Sequence, residues 1–229
     1  MANGEFRLRV RYSKADRLRW LSHLEIIHTL ERAVRRAKLP YAITQGFSPH
    51  MKVAFGPALP VGTAGLEEYL EVWLTRYTTA EEALASLGAA MPTGLVPDHA
   101  KFVSERDKSL TATLTIARYE VDVTGKESGA QQVQTALDSV IAAGTLTVVH
   151  KGKNKVYDLA RCLPEGARVT GQESGSRVML TVRMGPDGSL RPEVLISAAL
   201  EAAALEATVA TKTRTATLVE TEGGWARPM

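Results

Sequence analysis

Apolar and basic residues alternate through FRLRVRY, with Phe6, Leu8, Val10 and Tyr12 on one side and Arg7, Arg9 and Arg11 on the other. That is the period of a half-buried strand whose arginines occupy the second face. From Ser22 the period lengthens. Leu24, Ile27, Leu30, Val34 and Ala37 recur at helical spacing behind a Ser22/Glu25 capping box, which predicts a helix over 23–38 that Pro40 stops. MKVAF reads as a strand, LPVGTAG as a connection, and EEYLEVWLT as a strand alternating Tyr69, Glu71, Trp73 with Leu70, Val72, Leu74. TTAEEALASLGAAM forms a short helix behind a threonine cap, and GLVPDHAKFVS returns as a strand.

The second half repeats this order. TATLTIARYEVDV is a long alternating strand, GAQQVQTALDSVIAAG a helix, TLTVVHKG a strand, SRVMLTVRM a strand, RPEVLISAALEAA a helix with Pro192 in its first turn, and ATVATKTRTATLVE the last strand. LARCLPEGARVTG, between two of these strands, has no regular pattern. The fold class expected is therefore α+β: two ferredoxin-like β-α-β-β-α-β units with antiparallel sheets, residues 1–108 and 109–229. The two halves share the order of elements without a repeat of sequence.

Composition changes this picture little. The 229 residues are 45% hydrophobic and 23% charged, ordinary globular usage. No apolar run approaches the roughly 18 residues of a membrane span, and MANGEFRLRVRY lacks the apolar core of a secretion signal, so a cytoplasmic location is expected. The single cysteine, Cys162, excludes an internal disulfide and a thiolate metal cluster, and between two leucines it reads as a small core residue.

Charge changes it more. Residues 1–52 hold eleven Lys/Arg against four acids, a balance of +7, while the remaining 177 residues carry 17 bases against 21 acids. A basic quarter on an otherwise mildly acidic chain suggests a localised surface for a polyanion, or else simply a solvated face. On the first helix Arg32, Arg35 and Arg36 lie off the apolar stripe, where guanidinium groups could meet a phosphate backbone. The loop TQGFSPHMK then places Gly46, Phe47, Ser48, Pro49, His50 and Lys52 together. Phe47 offers a ring on which a base could stack, while Ser48 and Lys52 could hold its phosphate; the alternative is a tight turn with Phe47 in the core. Lys14 near the end of the first strand and Lys151, Lys153 and Lys155 in HKGKNK complete the candidate RNA contacts, although lysines at a hairpin tip also serve solubility.

His23 and His50 are the candidate catalytic residues, as general base and general acid for attack by a 2′-hydroxyl, with Tyr12 and Lys14 nearby in sequence. His23 could equally be a histidine wedged between elements. No metal site is expected, because His23 and His28 are five apart and neither HExxH nor clustered carboxylates occur. LPVGTAG lacks the GK[ST] of a phosphate-binding loop.

In order along some sixty residues, YSK, LSHLE, RAVRRAKLP, QGFSPHMK and LPVG followed by EEY make the chain resemble the radical SAM-linked protein family, a domain of unknown function encoded beside, or fused to, a radical SAM protein. KGKNKVYDL, RPEVL and TRTATL extend the likeness more loosely. The resemblance implies a radical SAM protein as partner. The chain has no CxxxCxxC motif, so it carries no cofactor of its own, and the iron-sulfur cluster and S-adenosylmethionine belong on that partner. Paired ferredoxin-like units are also similar to the CRISPR repeat-processing endoribonucleases, which cut RNA without metal; that is an analogy of fold. Three readings follow. The leading one is a non-catalytic, RNA-binding accessory module, for a structured RNA such as tRNA or rRNA, working with a separate radical SAM enzyme. The others are a metal-independent endoribonuclease, and a protein-interaction module docking on a radical SAM partner without membrane contact.

Overall fold

A computed structural model describes residues 4–150, 152–185 and 189–229. The elements in chain order are β1 (Phe6–Lys14), a 3-10 turn (Asp16–Trp20), α1 (His23–Arg36), β2 (Val53–Phe55), β3 (Thr63–Leu74), α2 (Ala80–Ala90), β4 (Leu95–Val103) and the short α3 (Leu110–Thr113). They continue with β5 (Leu114–Gly125), α4 (Ala130–Ala142), β6 (Thr145–His150), β7 (Lys153–Asp158), the short α5 (Leu159–Cys162), β8 (Ala167–Gln172), β9 (Gly175–Arg183), α6 (Pro192–Ala202), β10 (Ala207–Thr221) and β11 (Gly224–Ala226). The fold is mixed α+β, and its sheets are mostly antiparallel. No helix among the described residues is long and apolar enough to cross a membrane.

The chain forms two compact units, Met1–Leu114 with Leu218–Met229, and Thr115–Thr217. Sequence pattern had placed the division at 108. Leu110 is fully buried and α3 packs against β2 and β3, which keeps 109–114 with the first unit, and the chain returns there at Leu218, within the last part of β10.

In the first unit β1 pairs antiparallel with both β3 and β4, and β2 pairs with the outer side of β3, giving the order β4-β1-β3-β2. Leu8 and Val10 of β1 and Leu70, Val72 and Leu74 of β3 face Ile26, Leu30 and Val34 of α1 and Ala83 and Leu87 of α2. Each helix begins in a complete capping box, Ser22 with Glu25 and Thr79 with Glu82, which satisfies amide groups the helix itself leaves open. Hydrogen bonding by the Ser22 hydroxyl holds the Glu25 carboxyl below the usual range, and the Thr79 backbone does the same for Glu82. The expected helix over 23–38 ends at Arg36, where Lys38 takes a left-handed conformation (φ 54°).

In the second unit β10 lies beside β5, which pairs antiparallel with β9, and β9 with β8, giving the order β10-β5-β9-β8. Its core joins Val121 and Val123 of β5 and Val178 and Val182 of β9 to Val133 and Leu137 of α4 and Leu195 and Ile196 of α6. Here one expectation is corrected. The strand in TLTVVHKG forms, but it pairs with β7 as a separate two-stranded sheet, and the strand beside β9 is β8, from the stretch that showed no regular pattern. A tight turn through Gly152 (φ 74°) lets β6 close on the residues just after it, so the ribbon forms locally.

Candidate nucleic-acid interface and polar pocket

The basic residues at the start of the chain do not share one environment. Arg7 and Arg9 are buried around the carboxylate of Glu71, which has no exposed surface. Arg7 Nη2 donates to Glu71 Oε2 at 2.7 Å, and Arg9 Nε and Nη2 donate to Oε1 at 2.9 and 2.7 Å. Arg7 Nη1 donates to the carbonyls of Ser104 and Asp107, Nη2 also donates to that of Lys108, and the guanidinium lies 5.2 Å from the Trp73 ring. Arg9 Nη1 donates to the Pro228 carbonyl. These two arginines therefore fasten the 104–108 connection and the 227–228 segment to the sheet. Arg11 holds Asp98 through two 2.8 Å bonds, which raises its pKa further, and sits 3.7 Å from Glu67. Three of the eleven basic residues in 1–52 are thus held by acids far along the chain.

On α1, Arg32, Arg35 and Arg36 are all exposed. Arg32 Nη2 donates to Thr29 Oγ1 at 3.0 Å, and Arg35 Nη2 stands 3.9 Å from Glu31 across one turn, a weak surface pair. Arg36 Nη2 reaches the Ala90 carbonyl at the end of α2, at 2.5 Å. The helix end thus presents guanidinium groups to solvent while one of them also ties α1 to α2.

The loop between α1 and β2 is closed at its base. Thr44 N donates to the His50 carbonyl at 2.8 Å, Ile43 and Met51 form a bridge, and His50 N donates to Thr44 Oγ1 at 3.2 Å. His50 Nδ1 lies 3.1 Å from both Thr44 Oγ1 and the Ser48 carbonyl. Gly46 sits at φ 149°, open to glycine and strained for other residues, and the loop it allows leaves Phe47 fully exposed and Ser48 at the surface. Phe47 is therefore not a core residue. Lys52 is half-buried, with Nζ paired to Glu5 and 5.0 Å from the Trp73 ring, so its charge buttresses the base of the loop.

A second constellation occupies one end of the first unit's core. Tyr12 and Lys14 continue the core-facing side of β1, Glu68 continues that of β3, and His23 opens α1. All four line one cavity, with Gly56 and Leu59 among its other walls. Register shifts between Arg11 and Lys14 bulge the strand there. Lys14 is 2% exposed and donates to the Leu21 carbonyl at 2.9 Å, where the 3-10 turn meets α1. His23 sets its ring edge-on to Phe55, centroids 6.3 Å apart. Glu68 leaves no room for a side chain at Gly65, where an added Cβ would come within 2.6 Å of its carboxylate. The cavity, about 10 Å³, has room for about one water molecule.

YSK, LSHLE and EEY thus meet around one small polar cavity. His50 is not among the residues lining it, so the pair expected to share acid and base roles is not brought together there. Glu68 escaped the sequence reading. Its signal was an acid at a position that should have been apolar, next to a second acid in a core strand.

In the second unit Lys153 is exposed and Lys155 Nζ lies 4.8 Å over the Tyr157 ring. Lys151 lies outside the described residues. Burial, and then Asp158, raise the pKa of the half-buried Cys162 thiol, which makes it a poor nucleophile. No group of three metal-ligating side chains occurs among the described residues.

The chain belongs to the family described as an uncharacterized protein conserved in bacteria (DUF2344), whose model matches residues 7–192. No curated protein matches it in sequence. Among solved structures, a Cbf5-Nop10-Gar1 complex overlays with a TM-score of 0.49 at 9% identity, over 92% of this chain and 48% of that one. The archaeal box H/ACA sRNP Nop10-Cbf5 complex gives 0.46 at 12% identity, over 92% and 47%. An unknown protein from Galdieria sulphuraria gives 0.29 at 13%, over 90% and 98%. The chain spans about half the length of the first two, and at these TM-scores none of the likenesses defines its fold or its activity.

Proposed function

We propose that the chain is an RNA-binding accessory module working with a separate radical SAM enzyme, and that each unit is ferredoxin-like. The strand orders β4-β1-β3-β2 and β10-β5-β9-β8, each with two long helices, support the second part. The fully exposed Phe47 ring, on a loop whose base is fastened by hydrogen bonds, carries the first. A bare aromatic on a loop with a fastened base leaves its ring face open to stack on an unpaired base. The exposed His50 ring stands in the same loop, and the exposed guanidinium groups of α1 supply phosphate contacts in the same unit. The radical SAM partner rests on the motifs from YSK to EEY.

The non-catalytic form of this reading is favoured over cleavage because the cavity lined by Tyr12, Lys14, His23 and Glu68 has room for about one water molecule and does not include His50. Titrating a labelled single-stranded RNA at low and physiological salt tests the binding. Phe47→Ala should weaken it by roughly 5- to 100-fold, matching the ~1–3 kcal/mol of a stacked base, with the salt slope unchanged because no charge is lost. Equal affinity in wild type and variant, or no wild-type binding at either salt, would refute the RNA reading. The partner reading expects a protein bearing CxxxCxxC to co-purify with the chain from its own cells, and its repeated absence refutes that half.

A further inference from the structure

We infer that a second aromatic ring, Tyr77, and two cations beside it in the fold, Lys38 and Arg76, continue the Phe47 site, so that the first unit takes an unpaired run of several nucleotides rather than a single base. This rests on the RNA reading and deepens it by naming the form of the RNA.

Backbone pairing brings these residues to one end of the sheet. The loop that carries Phe47 leaves and rejoins the β2 side of β3 at Trp73: Ala42 N donates to the Trp73 carbonyl at 2.7 Å, and Trp73 N donates to the Lys52 carbonyl at 3.1 Å. Just beyond, Thr75 N and Oγ1 both donate to the Pro40 carbonyl, at 2.7 and 3.0 Å. Lys38 stands two residues before Pro40, and Arg76 and Tyr77 follow Thr75. One pair of hydrogen bonds therefore joins the stretch that ends α1 to the stretch that leaves β3.

Tyr77 is held as a platform. It is 64% exposed, yet its ring rests on two others: Phe102, with centroids 5.3 Å apart at an interplanar angle of 33°, and Phe6, edge-on at 5.5 Å. Phe102 packs in turn against the first unit's core. The ring is supported from within and open outwards, the arrangement a base-stacking ring needs. For the core alone that exposure gains nothing, since only buried apolar area stabilises.

The charge beside it identifies the occupant. From Arg35 to Lys52 the chain has four Lys/Arg and no acid, and from Thr75 to Thr79 one arginine and no acid. Of the acids nearest in sequence, Glu31 stands by His28 and Arg35, and Glu82 closes the α2 cap beside Glu81. Glu5 is held by Lys52. Lys38 and Arg76 are exposed, and neither side chain makes an ion pair or hydrogen bond with a described residue. Open rings with cations beside them match a strand whose bases stack while its phosphates meet positive charge. A duplex keeps its bases stacked inside and offers these rings no face.

The test titrates a labelled, unstructured RNA of about 12 nucleotides, the same sequence cut to about 2, and the longer strand paired with its complement, over a range of salt. Wild type is compared with Phe47→Ala, Tyr77→Leu, which keeps apolar contact with Phe6 and Phe102, and Lys38→Gln with Arg76→Gln. Tyr77→Leu should weaken the long strand roughly 5- to 100-fold with the salt slope unchanged, and the glutamine variant should make the slope shallower by about 1.4. Matched thermal unfolding controls for folding, and the glutamine variant, which alters exposed side chains alone, tests the same site should Tyr77→Leu unfold. Unchanged long-strand binding in both variants, while Phe47→Ala still weakens it, overturns this inference and leaves the RNA reading standing. Duplex bound as tightly as single strand, or the short strand as tightly as the long one, overturns the unpaired run. Absence of wild-type binding to all three RNAs overturns both this inference and the RNA reading.

Discussion

β1 and β7 each carry basic residues at alternate positions, yet the two strands use them in opposite ways. In β1 the register places Arg9 opposite Glu71 and Arg7 opposite Trp73, and both guanidinium groups close on the Glu71 carboxylate. In β7 the register places Lys153 opposite His150 and Lys155 opposite Val148. Alternation decides only which face a cation occupies. Which acid a cation then meets depends on the strands laid beside it, as Glu71 of β3 and Asp98 of β4 show for β1.

Removing the acid from β1 should break this contrast most forcefully. Glu71→Gln leaves two buried guanidinium groups facing a neutral amide and should destabilise the protein by roughly 3–5 kcal/mol, read as a fall in the urea midpoint. A loss below about 1 kcal/mol would mean that the backbone carbonyls of Ser104, Asp107, Lys108 and Pro228 already hold the arginines, and that Glu71 matters little.

Tyr69, opposite Arg11 in the same ladder, supplies a smaller effect with a definite sign. Burial, and then the Glu67 charge, disfavour the phenolate and push its pKa up to about 12, against the lowering effects of Arg11 and Arg227. The unfolded chain releases that proton near pH 10. The native state therefore holds the proton longer, and this contribution to stability is complete below about pH 10 and is lost as the pH rises toward 12. Tyrosinate absorbance should show one slow, high-pH phase that Tyr69→Phe removes, and a native phase near pH 10 would contradict the burial.

The order β-α-β-β-α-β of the first unit was legible because each element announces itself locally, through strict alternation, a capping box, or a stop at Pro40. The fate of the arginines was not legible, because Glu71 is 64 residues from Arg7 and nothing in FRLRVRY encodes which acid will lie opposite. Distance also hid the pocket. Tyr12, Lys14 and His23 could be noticed, but only the pairing of β1 with β3 brings Glu68 beside them. In the second unit the reading failed where two short strands competed for one role. TLTVVHKG has the stronger β pattern, yet the turn at Gly152 closes it on β7, and the six residues Ala167–Gln172 take the place beside β9. Phe47 could be read either as core or as a stacking ring, because a flanking glycine and proline serve both.

The smallest expected effect is the most discriminating. Lys153→Gln with Lys155→Gln removes two cations from β7, as many as cluster around Glu71, but their registered neighbours are a histidine and a valine. Neither lysine is fully buried, and stability should stay within about 0.5 kcal/mol of wild type. Urea unfolding of this variant beside Glu71→Gln places the two strands on one scale. A loss of 1 kcal/mol or more in the lysine variant would show that Lys155 over Tyr157 anchors the ribbon, making the β7 cations structural as those of β1 are. A neutral result leaves the β7 lysines with little part in holding the fold, in contrast to the arginines of β1.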